Sequence, residues 1–135
     1  MRYMLLVYTQ EAKKSTLSQQ EVTEVMSGHF AVIEKTKQLG ILEGVGPLQP
    51  TSTATTVRYE NGKPLIIDGP FAETKEQLGG YYIIDCKNLD EAIEWAKKIP
   101  THCGGGGFGC IEIRALQDMG EIQKSFQELM SAQHA

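Results

Sequence analysis

The chain has 135 residues, of which 41% are hydrophobic, and its 17 acidic and 13 basic side chains give a formal net charge of -4. This length corresponds to one domain of the commonest size, about 100–150 residues, and allows a hydrophobic core to be buried. Collagen-like and fully disordered chains are therefore excluded. Its arginines are only Arg2, Arg58 and Arg114. We expect no nucleic-acid partner, because this chain lacks a basic face for a phosphate backbone.

The N-terminal region and the cysteines indicate the cellular compartment in which the protein is expected. The apolar run at residues 4–8 is far shorter than the about 20 residues that cross a bilayer, and shorter than a signal-peptide core. Three cysteines, Cys86, Cys103 and Cys110, form an odd set that suits a reducing compartment. His102 adds a soft ligand, but the spacing matches no common zinc module. We therefore expect a cytoplasmic protein without membrane association, with free thiols and no metal.

The first predicted elements are a strand and a long helix. Residues 2–9, RYMLLVYT, predict a central β-strand because the run is short and apolar. Ser18 and Glu21 match a capping box, which predicts a helix of about 20 residues ending near Gly40. The apolar positions of this helix, which recur about every 3.6 residues and predict a buried stripe, are Val22, Val25, Met26, Ile33 and Leu39.

A strand and a hairpin are predicted next. Residues 41–45 predict a short strand that Gly46 and Pro47 end. Residues 53–59 and 63–68 predict a β-hairpin, because the Asn-Gly pair between them is a strong two-residue turn signal.

The remaining elements repeat the strand and helix pattern. Residues 80–86 predict a strand, and Asn88 predicts the start of a helix over 89–99. Residues 110–116 predict a last strand with one polar face, followed by an amphipathic helix from Asp118. The predicted buried positions of the second helix are Leu89, Ala92, Ile93, Ala96 and Ile99. The apolar positions of the last helix are Ile122, Phe126 and Leu129.

This order of elements defines the predicted fold class. Strand, helix, strand, hairpin, strand, helix, strand indicates an α+β ferredoxin-like sandwich with an inserted β-hairpin and both helices on one sheet face. The other face needs a cover, so we predict a homodimer around a shared cavity.

The glycine-rich residues 104–109, GGGGFG, formally satisfy a dinucleotide-binding pattern. The run follows a helix and opens a strand, which is the reverse of what pyrophosphate binding at a helix N-terminus requires. We expect a mobile connector, with a lid as the alternative.

Several polar residues are candidates for a site. His29 lies on the predicted buried stripe, so its imidazole must be hydrogen-bonded or must line a cavity. Either a structural histidine or a general base fits this position. Asp68 ends the predicted hairpin. The sequence Asp-Gly-Pro is also typical of a turn, so a structural role fits Asp68 as well. The charged run with Glu73, Lys75 and Glu76 is typical of a solvated loop.

The segment 68–100, DGPFAETKEQLGGYYIIDCKNLDEAIEWAKKIP, resembles the signature of the DGPF group within the YCII-related domain family. The likeness covers residues 1–116 and includes His29 and the Ile-Glu-Ile-Arg sequence at 111–114. Residues 102–109 depart from it, since family members usually have a shorter link. The chain is thus divided into a YCII-related domain at 1–116 and a C-terminal amphipathic helical extension at 117–135.

The resemblance implies a dimeric α/β barrel of the ferredoxin-like type and a pair formed by His29 and Asp68. Family members have been proposed as enzymes because of such a pair, and one relative is linked to dehydrochlorination of a hydroxylated aromatic. The superfamily also contains muconolactone isomerase-like enzymes. Other DGPF proteins occur beside or fused to alternative sigma factors, which implies a ligand-binding or regulatory module in transcription as the alternative function.

The enzyme hypothesis is proton transfer or elimination on a small anionic or phenolic molecule, with no cofactor. His29 would act as the base and Asp68 would orient it, while Lys75 or Arg114 would hold the negative charge of the substrate. Glu73 or Glu76 would serve as a second acid. A third interpretation makes His29 and Asp68 purely structural.

Overall fold

The computed structural model describes residues 1–103 and 106–134. The elements of the first half, in chain order, are β1 (Arg2–Thr9), α1 (Glu11–Lys14), α2 (Gln19–Gln38), β2 (Leu42–Pro47), a 3-10 turn at Thr51–Thr53, β3 (Thr55–Glu60) and β4 (Lys63–Asp68). Those of the second half are β5 (Gln77–Asp85), α3 (Leu89–Lys98), β6 (His102–Cys103), β7 (Gly106–Gly107), β8 (Gly109–Ala115) and α4 (Met119–Gln133).

The main sheet has four antiparallel strands in the order β2-β5-β1-β8. The connection from β1 through α2 to β2 passes over β5, and the connection from β5 through α3 to β8 passes over β1. Two such split crossovers define a ferredoxin-like α+β fold. The predicted fold class is confirmed, and the predicted position of β1 in the centre of the sheet is confirmed with it.

The core lies between the sheet and the two helices that cover one of its faces. Strands alternate their side chains, so Tyr3, Leu5 and Val7 of β1 point to this face and are buried. Tyr82 and Ile84 of β5 lie beside them. The other buried apolar residues, which come from α2, α3 and the segments flanking α3, are Val32, Cys86, Ala92, Trp95 and Ile99. This core fixes α2 and α3 on the same side of the sheet.

The start of α2 is confirmed in atomic detail. The Ser18 hydroxyl accepts a hydrogen bond from the Glu21 amide at 3.1 Å, and the Glu21 carboxylate accepts one from the Ser18 amide at 3.0 Å. Beyond the other end of the helix, Gly40 has a left-handed φ of 72°. Both ends of the helix therefore follow from local sequence.

The predicted buried stripe of α2 is wrong for the first half of the helix and for Leu39, which is 54% exposed. Val22 is 39% exposed and Met26 is 52% exposed, and the fully buried residues of α2 are Val32 and Thr36. The first half does not close onto the sheet, because a cavity separates them. The apolar period therefore marks the walls of a cavity there, not a packed core.

The β3–β4 hairpin forms a two-stranded sheet of its own. Its predicted turn is confirmed, because Asn61 and Gly62 have left-handed φ values of 52° and 77°, as a type I′ turn requires. The ribbon leaves Tyr59 and Ile66 largely exposed.

Three further differences from the sequence-based expectations concern short segments. The polar loop after β1 contains α1, a single helical turn. In α3, Trp95 is buried and Leu89 is half exposed, because Leu89 stands at the first helical position, where the helix face has not yet met the sheet. Within the predicted glycine-rich connector, β6 pairs with β7, while residues 104 and 105 lie outside the described residues.

The Leu5→Ala substitution tests the assigned core. Leu5 is 1% exposed on the central strand, so the cavity left by truncation should lower the free energy of unfolding by about 3 kcal/mol. Leu39→Ala, at an exposed site after α2, should lower it by less than about 1 kcal/mol. Urea unfolding followed by circular dichroism measures both values, and equal losses would contradict the assignment.

Candidate functional site

A cavity of about 380 Å³ opens between the first half of α2 and the sheet. Its walls are mainly apolar, and its polar side chains come from α1, α2, the sheet and the segment after α3. The apolar residues from α2 and from the segment before it are Leu17, Val22, Val25, Met26, Phe30 and Ile33. The residues whose polar side chains line it are Thr9, Lys14, His29, Tyr82 and Thr101. A cavity of this size, with few polar groups in apolar walls, is typical of a small-molecule site.

His29 and Tyr82 form a hydrogen-bonded pair in this cavity. The Nδ1 atom of His29 lies 2.7 Å from the Tyr82 hydroxyl oxygen. The two rings are nearly parallel, at 9°, with centroids 6.1 Å apart. His29 is half-buried and Tyr82 is only 3% exposed. The helix and the central part of the sheet therefore meet through a titratable pair.

Strand alternation and a close contact of α2 bring these two residues together. On β5, alternation places Tyr82 on the helix-covered face, where it lies between Leu5 of β1 and Val45 of β2. On α2, Gly28 allows close approach to the chain after α3, because a Cβ atom there would lie 2.9 Å from the Cγ atom of Pro100. His29, the next residue, is thereby directed over Tyr82.

The surroundings of His29 favour its neutral form. Burial lowers the pKa of His29 below its ordinary value of 6.5, and the positive charge of Lys14 lowers it further. A hydrogen bond to the backbone of Pro100 acts in the opposite direction. At neutral pH the imidazole is therefore uncharged and can accept a proton.

Tyr82 keeps its proton over the same pH range, since burial raises the pKa of its hydroxyl to about 12. Since the Tyr82 hydroxyl carries its proton, we assign the proton of neutral His29 to Nε2. Nδ1 then accepts from the Tyr82 hydroxyl. The oxygen of Tyr82 keeps a lone pair for a ligand.

Lys14 stands at the rim of the cavity on a well-anchored turn. The Glu11 amide donates to the Gln77 side chain at 2.9 Å, and the Glu11 carboxylate accepts from the Thr51 amide and hydroxyl at 2.9 and 2.7 Å. The Gln10 amide donates to the Phe108 carbonyl at 3.0 Å. These bonds tie α1 to β5 and to two loops, and so position Lys14.

The structure places Asp68 away from these residues. Asp68 ends β4, is exposed, and is not among the residues that line the cavity with His29. Gly69 after it has a left-handed φ of 107°, and its carbonyl accepts a hydrogen bond from the Thr56 hydroxyl at 2.7 Å. The Asp-Gly step thus forms the end of the hairpin. Within the described residues of one chain, His29 has Tyr82 as its side-chain partner.

The other predicted site residues also lie outside this cavity. Glu73 and Lys75 are exposed in the loop before β5. Arg114 is exposed on β8 and alternates with Ile113, which packs on the core, so Arg114 points to the opposite face of the sheet. The Glu76 carboxylate accepts a hydrogen bond from the Cys110 thiol, whose side chain lies on that opposite face, at 3.3 Å.

Sequence reasoning found His29 and missed Tyr82 and Lys14. The signal for Tyr82 was its alternation with Ile84 on a strand, which predicts a buried tyrosine whose hydroxyl needs a partner. Nothing local points from Tyr82 to a residue 53 positions earlier. Lys14 lies in a segment that reads as a polar loop, and only the fold brings it to His29.

Over residues 1–103 and 106–134, no three His, Cys, Asp or Glu side chains are grouped as metal ligands. In the same part of the chain, no helix has the length and apolar character needed to cross a membrane.

The split βαβ sheet, with two helices on one face, defines a ferredoxin-like α+β domain that has an apolar cavity under its longer helix. The sequence matches the YCII-related domain over residues 1–120, and the chain belongs to this family. It is similar to an uncharacterised protein of Rhizobium meliloti (strain 1021), with 41% identity over 124 residues, which is 90% of this chain and 98% of the relative. The predicted boundary after residue 116 falls between β8 and α4 and stays a prediction.

The titration of His29 tests the described electrostatics. Its NMR midpoint should lie below 6.5, and Lys14→Met should raise this midpoint because a positive charge beside the cavity is removed. Lys13→Met is the matched control, since Lys13 is exposed and does not line the cavity. A His29→Gln spectrum identifies the resonance. An unchanged midpoint in Lys14→Met would contradict the coupling of the two residues.

Proposed function

We propose that this protein is an enzyme that moves a proton on a small anionic or phenolic molecule bound in the cavity between α2 and the sheet. The observation that carries the proposal is the hydrogen bond between His29 and Tyr82 inside a mainly apolar cavity. A neutral imidazole next to a buried hydroxyl is a recurring arrangement for general acid-base chemistry.

The proposed step uses both side chains and no cofactor. The acidic proton of the substrate passes to the Tyr82 oxygen while the Tyr82 proton passes to Nδ1 of His29. The Pro100 carbonyl stabilises the resulting imidazolium, since its hydrogen bond favours the protonated form. Return of the proton to another position of the substrate completes an isomerisation, and loss of a leaving group from the deprotonated substrate completes an elimination.

Pairing of His29 with Asp68 is a separate and narrower proposal. It requires the β3–β4 hairpin to bring the carboxylate to the cavity, within one chain or from a second copy. The hairpin is a separate two-stranded sheet with exposed apolar side chains, which is consistent with such a role. Within one chain Glu73, Lys75, Glu76 and Arg114 do not line the cavity, so the roles expected for them stay predictions.

Solvent deuterium incorporation tests the proton-transfer proposal. A panel of small carbon acids, including lactones and hydroxylated aromatics, is incubated with the protein in D₂O and followed by NMR. His29→Gln should lower the exchange rate by about 10²–10⁴-fold, and Tyr82→Phe should also lower it. The rate should rise with pH through the pKa of His29, below 6.5, because the neutral imidazole is the active form.

Asp68→Asn in the same assay separates the two proposals. A loss equal to that of His29→Gln would support pairing of His29 with Asp68, whereas an unchanged rate would leave the base function to His29 and Tyr82 alone. Exchange that persists in His29→Gln would contradict both.

A regulatory module that docks to a sigma factor is the second candidate function. It is favoured by α4, whose apolar residues Phe126 and Leu129 are 59% and 65% exposed. These side chains would be the anchors of an amphipathic helix in a partner groove. In this case the cavity binds a ligand that is not converted, so the exchange assay would give no rate above that of His29→Gln.

We also propose a homodimer formed through the second face of the main sheet. Met4, Leu6, Tyr81 and Ile83 lie on this face and are half-buried, an apolar set opposite the core. Two such faces packed together would bury them and form the barrel that the family resemblance implies.

The oligomeric state in solution tests this dimer. Light scattering after gel filtration should give the mass of two chains for the wild type and of one chain for Leu6→Glu, because a buried carboxylate disfavours the interface. Leu89→Glu, at an exposed site on α3, should stay dimeric. Circular dichroism checks that both variants are folded. A wild-type chain with the mass of a monomer would overturn the proposal.

A further inference from the structure

We infer that the ligand of the cavity is a compact aromatic carboxylate, with its anionic group held by Lys14 and its ring placed over His29 and Tyr82. This inference rests on the proposed function and names the class of molecule that the same site takes. Lys14 was not among the residues expected from the sequence to hold a negative charge.

The charge of the ligand follows from the placement of Lys14. Its ammonium group is at the rim of an apolar cavity and acts electrostatically on His29. Among the described residues, no carboxylate lies within 4.0 Å of the Lys14 ammonium. A cation beside an apolar cavity attracts an anion more strongly than it would in open water, because the local dielectric constant is lower.

The shape of the ligand follows from the walls. The cavity of about 380 Å³ is at the low end of the range for small-molecule sites, about 300–1,000 Å³. Phe30, Tyr82 and Phe108 give it aromatic surfaces from three different elements or loops. Aromatic walls on several sides favour a flat ring, which can pack face-on or edge-on against each of them.

The backbone that carries Lys14 is held in place before any ligand arrives. α1 is fixed to β5 and to the Thr51 turn by the three hydrogen bonds of Glu11, so the backbone of Lys14 does not need to be ordered on binding. Only the side chain of Lys14 must be fixed, which keeps the entropic cost of binding small. A carboxylate at Lys14 leaves the adjoining part of the ring against His29 and the Tyr82 hydroxyl.

A pair of matched probes tests this inference. The probes are 1-hydroxy-2-naphthoate, which has a carboxylate beside a phenol, and 1-naphthol, which has the same ring and hydroxyl without the carboxylate. Fluorescence titration gives the two dissociation constants. The wild type should bind the naphthoate at least tenfold more tightly than the naphthol, and binding of either probe should shift the His29 resonances.

The Lys14→Met variant should weaken naphthoate binding by about tenfold or more, a change of about 1.4 kcal/mol, and leave naphthol binding unchanged. Lys13→Met is the matched control and should bind both probes as the wild type does. Equal affinity for the two probes, or unchanged naphthoate binding in Lys14→Met, would overturn the inference.

The outcomes also separate this inference from the proposed proton transfer. Naphthoate binding that depends on Lys14, together with no deuterium exchange in the carbon-acid panel, would support the ligand class and count against catalysis. Exchange that depends on His29, together with binding that does not depend on Lys14, would support catalysis and overturn the ligand class. If neither probe binds, the inference that the cavity takes an aromatic ligand is overturned.

Discussion

The hydrogen bond of 2.7 Å between His29 and Tyr82 joins the longest helix to the sheet at a point where the two do not pack. Further along α2, Val32 and Thr36 are buried and the helix rests on the core. Toward its start, Val22 and Met26 stand apart from the sheet. The polar pair thus lies at the boundary between packed core and cavity. It satisfies two buried polar groups that would otherwise be costly, and it keeps both of them accessible to a ligand.

The same boundary explains the protonation states. Burial disfavours charge, so it lowers the pKa of His29 and raises the pKa of Tyr82. Both groups are therefore neutral at physiological pH, one able to accept a proton and the other able to donate one. An exposed histidine and tyrosine would both be neutral over a narrower pH range, because the ordinary pKa of histidine is higher and that of tyrosine is lower. The burial of this pair between β5 and α2 therefore sets the protonation states of both side chains.

The sequence predicts the fold well because its signals are local. A capping box starts α2, an Asn-Gly pair turns the hairpin, a short apolar run defines β1 and alternating side chains define β8. The site was predicted only in part. His29 was recognised because an imidazole on an apolar stripe needs an explanation, but its partner comes from a strand whose register only the assembled sheet fixes. The prediction that the whole apolar stripe of α2 is buried is wrong, since periodicity does not distinguish residues that pack on a core from residues that line a cavity.

The electrostatic effect of Lys14 on His29 has a consequence for the order of events in the cavity. While the ammonium is uncompensated, it disfavours a second positive charge nearby, so an empty cavity keeps its imidazole free of a proton. A bound anion would offset that repulsion and make the imidazole a stronger base. Binding of the anion and the basicity of His29 are then thermodynamically linked. A molecule without a negative charge could enter the same cavity but would leave His29 a weaker base. The protein would then discriminate between ligands by their reactivity as well as by their affinity.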